Sequence, residues 1–152
     1  MKILIVAATS MEVKLLTDEM EFIREKGKLL KEYGFSDKKA DVLLTVVGTT
    51  FTTFHLTRTL IKNKYDLVLS VGIAGSLSED LEIGEVVNVV SEEFADVGIE
   101  DRGEFLTLFE SGFVKENDFP FVNGQLKAAQ SDGFIKLKKV DGLTANKSHG
   151  KS

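Results

Sequence analysis

Met1-Lys2-Ile3-Leu4-Ile5-Val6-Ala7-Ala8-Thr9-Ser10-Met11-Glu12-Val13 opens the chain, and this stretch decides the fold. Ile3 to Ala8 is continuously apolar, without the polar alternation of a strand that has one wet face. Such a run reads as a strand buried on both sides in a parallel sheet. Thr9-Ser10 then offers a helix cap, and Met11 to Arg24 carries Val13, Leu16, Met20 and Ile23 at helical spacing. A doubly buried strand leading into a helix predicts an α/β fold.

The rest of the chain extends the alternation. Gly27 to Phe35 and Ala40 to Val47 read as two strands joined through Ser36-Asp37-Lys38-Lys39. A helix is predicted after Gly48, with Phe51, Phe54, Leu56 and Leu60 on its apolar side. Asp66 to Val71 is a short buried strand ending at Gly72, and Asp80 to Glu85 turns the chain into a strand over Val86 to Ala95. Gly98 to Phe121 is loop-rich and aromatic, with Phe105, Phe109, Phe113, Phe119 and the sole proline, Pro120. A helix near Gly124 to Gln130 and strands within Phe134 to Ala145 complete the pattern. No repeat, low-complexity tract or linker divides the chain, so residues 1–152 read as one domain.

Composition narrows the function classes. At 152 residues and 43% hydrophobic content, the chain can fill one core. No apolar run is long enough for a membrane helix, and the first strand follows a single lysine rather than a signal-like apolar core; cytoplasm is the expected compartment. With no cysteine, thiol chemistry and disulfides are excluded. A net charge of −5, from 24 acidic and 19 basic residues, makes nucleic acid and anionic membranes poor partners. No His/Asp/Glu spacing suggests a metal site, and no cofactor is expected.

In open α/β sheets, ligands gather at the carboxyl ends of strands. Three such ends are readable: Ala8 to Glu12, Val47-Gly48-Thr49-Thr50, and Gly72-Ile73-Ala74-Gly75-Ser76. Their glycines permit close backbone approach to a ligand, or merely turn the chain. The last segment is neither a P-loop nor G-x-G-x-x-G. On position alone, Glu12 reads as a first-turn glutamate, where the helix dipole favours a negative charge. His55 reads as a packed or surface residue, Arg58 as surface charge, and Glu19 to Lys31 as a solvated face.

These loops carry a family resemblance. Met1-Lys2-Ile3 through Glu12-Val13-Lys14-Leu15-Leu16 resembles the opening of bacterial nucleosidases that split methylthioadenosine and adenosylhomocysteine, where a glutamate one helical turn past the strand activates water; Glu12 matches it. Ser70-Val71-Gly72-Ile73-Ala74-Gly75-Ser76-Leu77 is similar to the superfamily's Gly-x-Ala-Gly segment. Its spelling, and Phe94-Ala95-Asp96-Val97-Gly98-Ile99-Glu100-Asp101, are nearer to the futalosine hydrolases. The chain thus resembles the N-terminal part of the nucleoside phosphorylase/nucleosidase superfamily.

The resemblance implies a three-layer α/β/α fold around a central mixed sheet, with a C-terminal portion missing. It implies hydrolysis of a purine nucleoside by water, most specifically futalosine to dehypoxanthine futalosine and hypoxanthine in menaquinone biosynthesis, by a homo-oligomer. The alternatives are a methylthioadenosine/adenosylhomocysteine nucleosidase and a non-catalytic, self-associating fragment. Glu12 would be catalytic. Gly48, Thr49, Ala74, Gly75 and Ser76 would line the nucleoside pocket, and Ser148 and His149 would border the base. The aromatic loop from Asp101 through Phe113 could border the futalosine 5′ end, or supply core and interface aromatics.

The superfamily's Met-Glu motif, which holds the ribose hydroxyls, and its later Ser-Asp or Ser-Asn motif both follow the region equivalent to Thr144 to Gly150, and the sequence stops at Ser152. Catalytic groups acting as a unit are strongly non-additive, so part of a site works near background rather than at a proportionate rate. The 152-residue chain alone is therefore expected to release no hypoxanthine from futalosine and to self-associate, whereas the version extended downstream is active. Comparable rates from the two would mean that residues such as Asp96, Glu100 or Asp101 complete the site.

Overall fold

A computed structural model describes residues 1–129 and 136–147. The chain forms two compact units, Met1–Leu77 and Ser78–Ser152. In the first, β1 (Ile3–Ala7), β2 (Glu21–Glu25), β3 (Leu30–Phe35), β4 (Lys38–Leu44) and β5 (Leu67–Ser70) form one mixed sheet in the order β2-β3-β4-β1-β5. β1 pairs in parallel with both β4 and β5, while β2, β3 and β4 are antiparallel neighbours.

The continuous apolar run has the predicted consequence: both faces of β1 are covered. Ile5 and Ala7 pack with Val42 and Val13 of helix α1 (Ser10–Asp18), while Leu4 and Val6 pack with Leu43 and, from helix α2 (Thr49–Lys62), Leu56. Successive side chains of a strand point to opposite faces, so helix, sheet and helix make three layers in this unit.

Two local expectations are corrected. The helix does not run to Arg24 but stops at Asp18, and Ile23 and Arg24 belong to β2. Pairing with β3 outweighs the helical spacing there, and Phe22, whose ring meets Tyr33 edge-on at 5.8 Å, is part of that pairing. On α2, Leu56 faces inward as expected, but Phe51, Phe54 and Leu60 are exposed and Thr59 is buried in their place.

A buried polar cluster fixes the antiparallel half of the sheet. Glu32 and Asp41 are cross-strand partners, both buried, so two carboxylates face one another. Each has a cation: Arg24 Nε donates to Glu32 at 2.6 Å, and Lys26 Nζ to Asp41 at 2.6 Å. Tyr65 OH donates to the same Asp41 oxygen at 2.6 Å. Without these partners the cross-strand repulsion and desolvation would oppose folding.

In the second unit, β6 (Val87–Phe94) lies between β10 (Lys138–Thr144), parallel to it, and the short β9 (Leu126–Lys127). β7 (Gly98–Asp101) and β8 (Glu104–Thr107) form a hairpin through Arg102-Gly103, both at positive φ. The helix expected near Gly124 to Gln130 is not formed in the described part of that range. Asn123 and Gly124 at positive φ turn the chain, a Val122–Gln125 bridge follows, and β9 takes the place of the helix. Asn-Gly is a hairpin signal, and it prevails over helical spacing. No helix among the described residues is long and apolar enough to cross a membrane.

The cluster makes a testable demand at high pH. Burial foremost, then the hydrogen bond to Asp41 and the charges of Asp41 and Glu32, push the Tyr65 phenol well above its ordinary value of 10.0. The unfolded chain loses this proton near the ordinary value while the folded chain retains it, so folding stability falls as pH rises above about 10. In Tyr65→Phe the decline in denaturant-unfolding free energy over that alkaline range is expected to be shallower than in the parent. An unchanged slope would mean that the phenol does not titrate differently in the two states.

Candidate active site at the strand ends

Parallel pairing brings the carboxyl ends of β1, β4 and β5 to one edge of the first unit's sheet. Backbone bonds carry the alignment past the strands: Thr45 N–H donates to Ala7 O at 2.9 Å, Val46 N–H to Ala8 O at 3.1 Å, and Val71 N–H to Val6 O at 2.9 Å. The buried Thr45 hydroxyl lies 2.9 Å from that of Thr52, tying the end of β4 to α2. The segments that follow, 8–12, 46–49 and 71–77, therefore start from fixed positions.

Glu12 stands in the first turn of α1, half-buried, and folds back over the helix start. Its Oε2 accepts from Thr9 N–H at 2.7 Å and from Thr9 Oγ1 at 2.9 Å. This is the reach-back arm of a capping box, which the spacing Thr9-Ser10-Met11-Glu12 encodes and which a search for catalytic motifs passes over. The carboxylate also lies against the β5 loop: a Cβ on Gly72 would be 2.9 Å from Glu12 Oε1. Glu12 and the start of the Gly72 to Ser76 segment are thus brought together.

Gly48 caps α2 at φ 114°, in the region that glycine tolerates and other residues resist. Val46, a β-branched residue, adopts φ 70° two positions earlier. Residues held in such regions cluster at functional sites. Thr49 begins α2, half-buried. Ala74, Gly75 and Ser76 lie in exposed, non-repetitive backbone, and a Cβ on Gly75 would meet nothing within 4 Å. Gly75 does not have positive φ, so it is open surface rather than an obligatory turn. Ser148 and His149 lie outside the described residues.

The electrostatics of these segments are one-sided. Residues 8–12, 45–49 and 71–77 contain one carboxylate, Glu12, and no lysine, arginine or histidine. Arg58 lies instead on the outer side of α2, with Phe54 and Ile61 along a shallow apolar groove of about 400 Å³. Phe54 and the half-buried His55 meet edge-on at 5.1 Å. No group of three or more His, Cys, Asp or Glu side chains among the described residues is arranged to hold a metal.

In the second unit, Asp96 accepts from Asn146 N–H at 2.7 Å and from Asn146 Nδ2 at 3.1 Å. Thr144 Oγ1 donates to Glu92 at 2.6 Å. Phe109 is half-buried with its ring 5.2 Å from that of Phe121, which also meets Phe94; Phe105 and Phe113 are exposed.

Comparison with known proteins identifies the fold. No family model matches the sequence. Among solved structures, the chain is similar to Helicobacter pylori MTAN, with TM-score 0.69 and 19% identity over 99% of this chain and 70% of that one. It is similar to a futalosine hydrolase mutant of the same organism, with TM-score 0.70, 19% identity, and 99% and 70% coverage. A third similar structure is the Neisseria meningitidis 5′-methylthioadenosine/S-adenosylhomocysteine nucleosidase in complex with methylthio-immucillin-A, with TM-score 0.66, 18% identity, and 96% and 65% coverage. The fold is the one these nucleosidases share, as the sequence resemblance implies, and the chain spans about two thirds of their length.

The strained loop yields a prediction of its own. A Cβ on Gly48 would meet only the Phe51 ring, at 3.7 Å, so the cost of Gly48→Ala lies in its backbone angle rather than in a clash. Urea unfolding is expected to show a loss of about 1–3 kcal/mol. A variant as stable as the parent would mean that the loop relaxes to negative φ.

Proposed function

We propose that this chain forms the Glu12-bearing part of a purine nucleoside N-ribosyl hydrolase whose substrate is futalosine. The observation that carries the reading is the Glu12 carboxylate, held at the convergence of three strand ends in a fold shared with nucleosidases. The spelling of 70–77 and 94–101 favours futalosine over the methylthio nucleosides. On this reading the protein works in menaquinone biosynthesis, in the cytoplasm, and as a homo-oligomer.

The chemistry follows from charge. As the C1′–N bond to the purine breaks, its electron pair leaves with the base and positive charge grows on the ribose. Glu12 orients a water molecule, takes one of its protons as the oxygen bonds to C1′, and stabilises the sugar cation. The base leaves protonated, its proton supplied from the far side of the nucleoside. Gly48, Thr49, Ala74, Gly75 and Ser76 border the ribose, and Ser148 and His149 the base.

Water is favoured over phosphate as the nucleophile by the same electrostatics. Phosphorolysis requires cations around a doubly charged oxyanion, and the three strand-end segments supply only a carboxylate. A methylthioadenosine/adenosylhomocysteine nucleosidase is the second reading, supported by the equal likeness to structures of that activity.

The test uses the full-length gene product with futalosine and with methylthioadenosine, at varied phosphate. Hypoxanthine release that is independent of phosphate, with a free sugar hydroxyl in the product, is expected. Glu12→Gln is expected to lower turnover roughly 10²-fold or more with the fold intact. A sugar 1-phosphate product would make the protein a phosphorylase, preference for methylthioadenosine would favour the second reading, and full turnover in Glu12→Gln would remove Glu12 from the mechanism.

A further inference from the structure

The two oxygens of Glu12 occupy unlike places. Both hydrogen bonds fall on Oε2, from the Thr9 N–H and the Thr9 hydroxyl. Oε1 instead lies in the space that a side chain at position 72 would take, 2.9 Å from where a Cβ would stand; the carboxyl carbon is 3.6 Å from the same point. Gly72 does not have positive φ, so its backbone conformation is open to any residue. What this position excludes is the Cβ itself.

We infer that Thr9 and Gly72 are positioning residues for the Glu12 carboxylate: Thr9 anchors Oε2 through two donors, and the bare backbone at 72 lets Oε1 project over the β5 loop, where it orients the water. The inference rests on the hydrolytic reading of Glu12. The competing account is that Glu12 only caps α1. On that account the Thr9 bonds stabilise the helix and Gly72 has no part, because a flexible glutamate tip moves aside for a methyl group at little cost.

That low cost makes Gly72→Ala diagnostic. The substitution fits the backbone and displaces only the carboxylate, so it separates position from stability. Misplacing a reacting group by about 1 Å can cost about 10²-fold in rate. Thr9→Val removes one of the two donors while preserving shape and the N–H, and Thr9→Ser restores the donor.

The experiment compares these three variants with the unsubstituted full-length gene product, by crystal structure, melting temperature, kcat and KM. In Gly72→Ala the expected result is a shifted Glu12 carboxylate, an unchanged melting temperature, an unchanged KM, and kcat lowered about 10²-fold. Thr9→Val is expected to lose roughly 10-fold in kcat, and Thr9→Ser to recover it. Parent-like kcat in Gly72→Ala would overturn the inference, as would a loss that tracks melting temperature without movement of the carboxylate. Failure of the unsubstituted protein to release base from any nucleoside is a separate outcome, which overturns the nucleosidase reading itself and with it the catalytic role assigned here.

Discussion

The first unit depends on one strand having two parallel neighbours. β1 pairs with β4 through Ile3–Ala7 and with β5 through Ile3–Val6. Parallel neighbours cannot be joined by tight hairpins, so each connection crosses a face of the sheet and returns. The helices α1 and α2 make these returns on opposite faces, which is why β1 has no wet side and why its sequence is apolar without alternation. The same pairing sets all three strands in one direction, and their carboxyl ends deliver Glu12, Gly48 and Gly72 to a common edge. The candidate site is thus a consequence of how β1 is buried.

Much of this was legible from residue pattern. The run Ile3 to Ala8 could be read because burial on both faces leaves a compositional mark. The helix after Gly48 was legible from its spacing and the strand before Gly72 from its apolar run, although β5 is half-buried rather than buried, with Val68 exposed. What escaped was decided by partners distant in sequence. Ile23 satisfies a helical spacing, yet β3 offers its segment a strand to pair with. Phe51 and Phe54 are more apolar than Thr59, yet Thr59 is buried, on the side of α2 that also carries Leu56 and the Thr52 hydroxyl bonded to Thr45. The burial of Asp41 and Glu32 has no local signal, because it depends on Arg24 of β2, Lys26 just after it and Tyr65 converging on them. At the site, the Glu12 position was readable from the motif, whereas its contact with Gly72 joins loops from different strands and has no local signal.

Under the proposed function, Glu12 would combine two roles that ordinarily compete. A capping-box glutamate is held by local bonds and is structural. A catalytic carboxylate must present charge to a ligand. Here the bonds converge on Oε2, leaving Oε1 against the Gly72 backbone. The cap thereby anchors Oε2, and Oε1 is placed by what the backbone at 72 leaves open. Preorganisation of this kind removes the reorganisation that a freely rotating carboxylate would need at the moment of reaction.

The donors' neutrality has a further consequence. A salt bridge to arginine or lysine would fix the carboxylate equally well but would cancel its field. Thr9 contributes an amide and a hydroxyl, neither carrying formal charge, and the neighbouring segments contribute no cation. Glu12 is therefore the one charged side chain of segments 8–12, 45–49 and 71–77. Two unit charges 4 Å apart at an effective dielectric near 20 interact by about 4 kcal/mol. Under the proposed function, such an interaction would lower the barrier for a ribosyl group gaining positive charge and raise it for an approaching phosphate. About 1.4 kcal/mol corresponds to tenfold in rate, so under the proposed function this one carboxylate would favour water over phosphate. Water, being neutral, escapes the repulsion and can donate a proton to the oxygen that causes it.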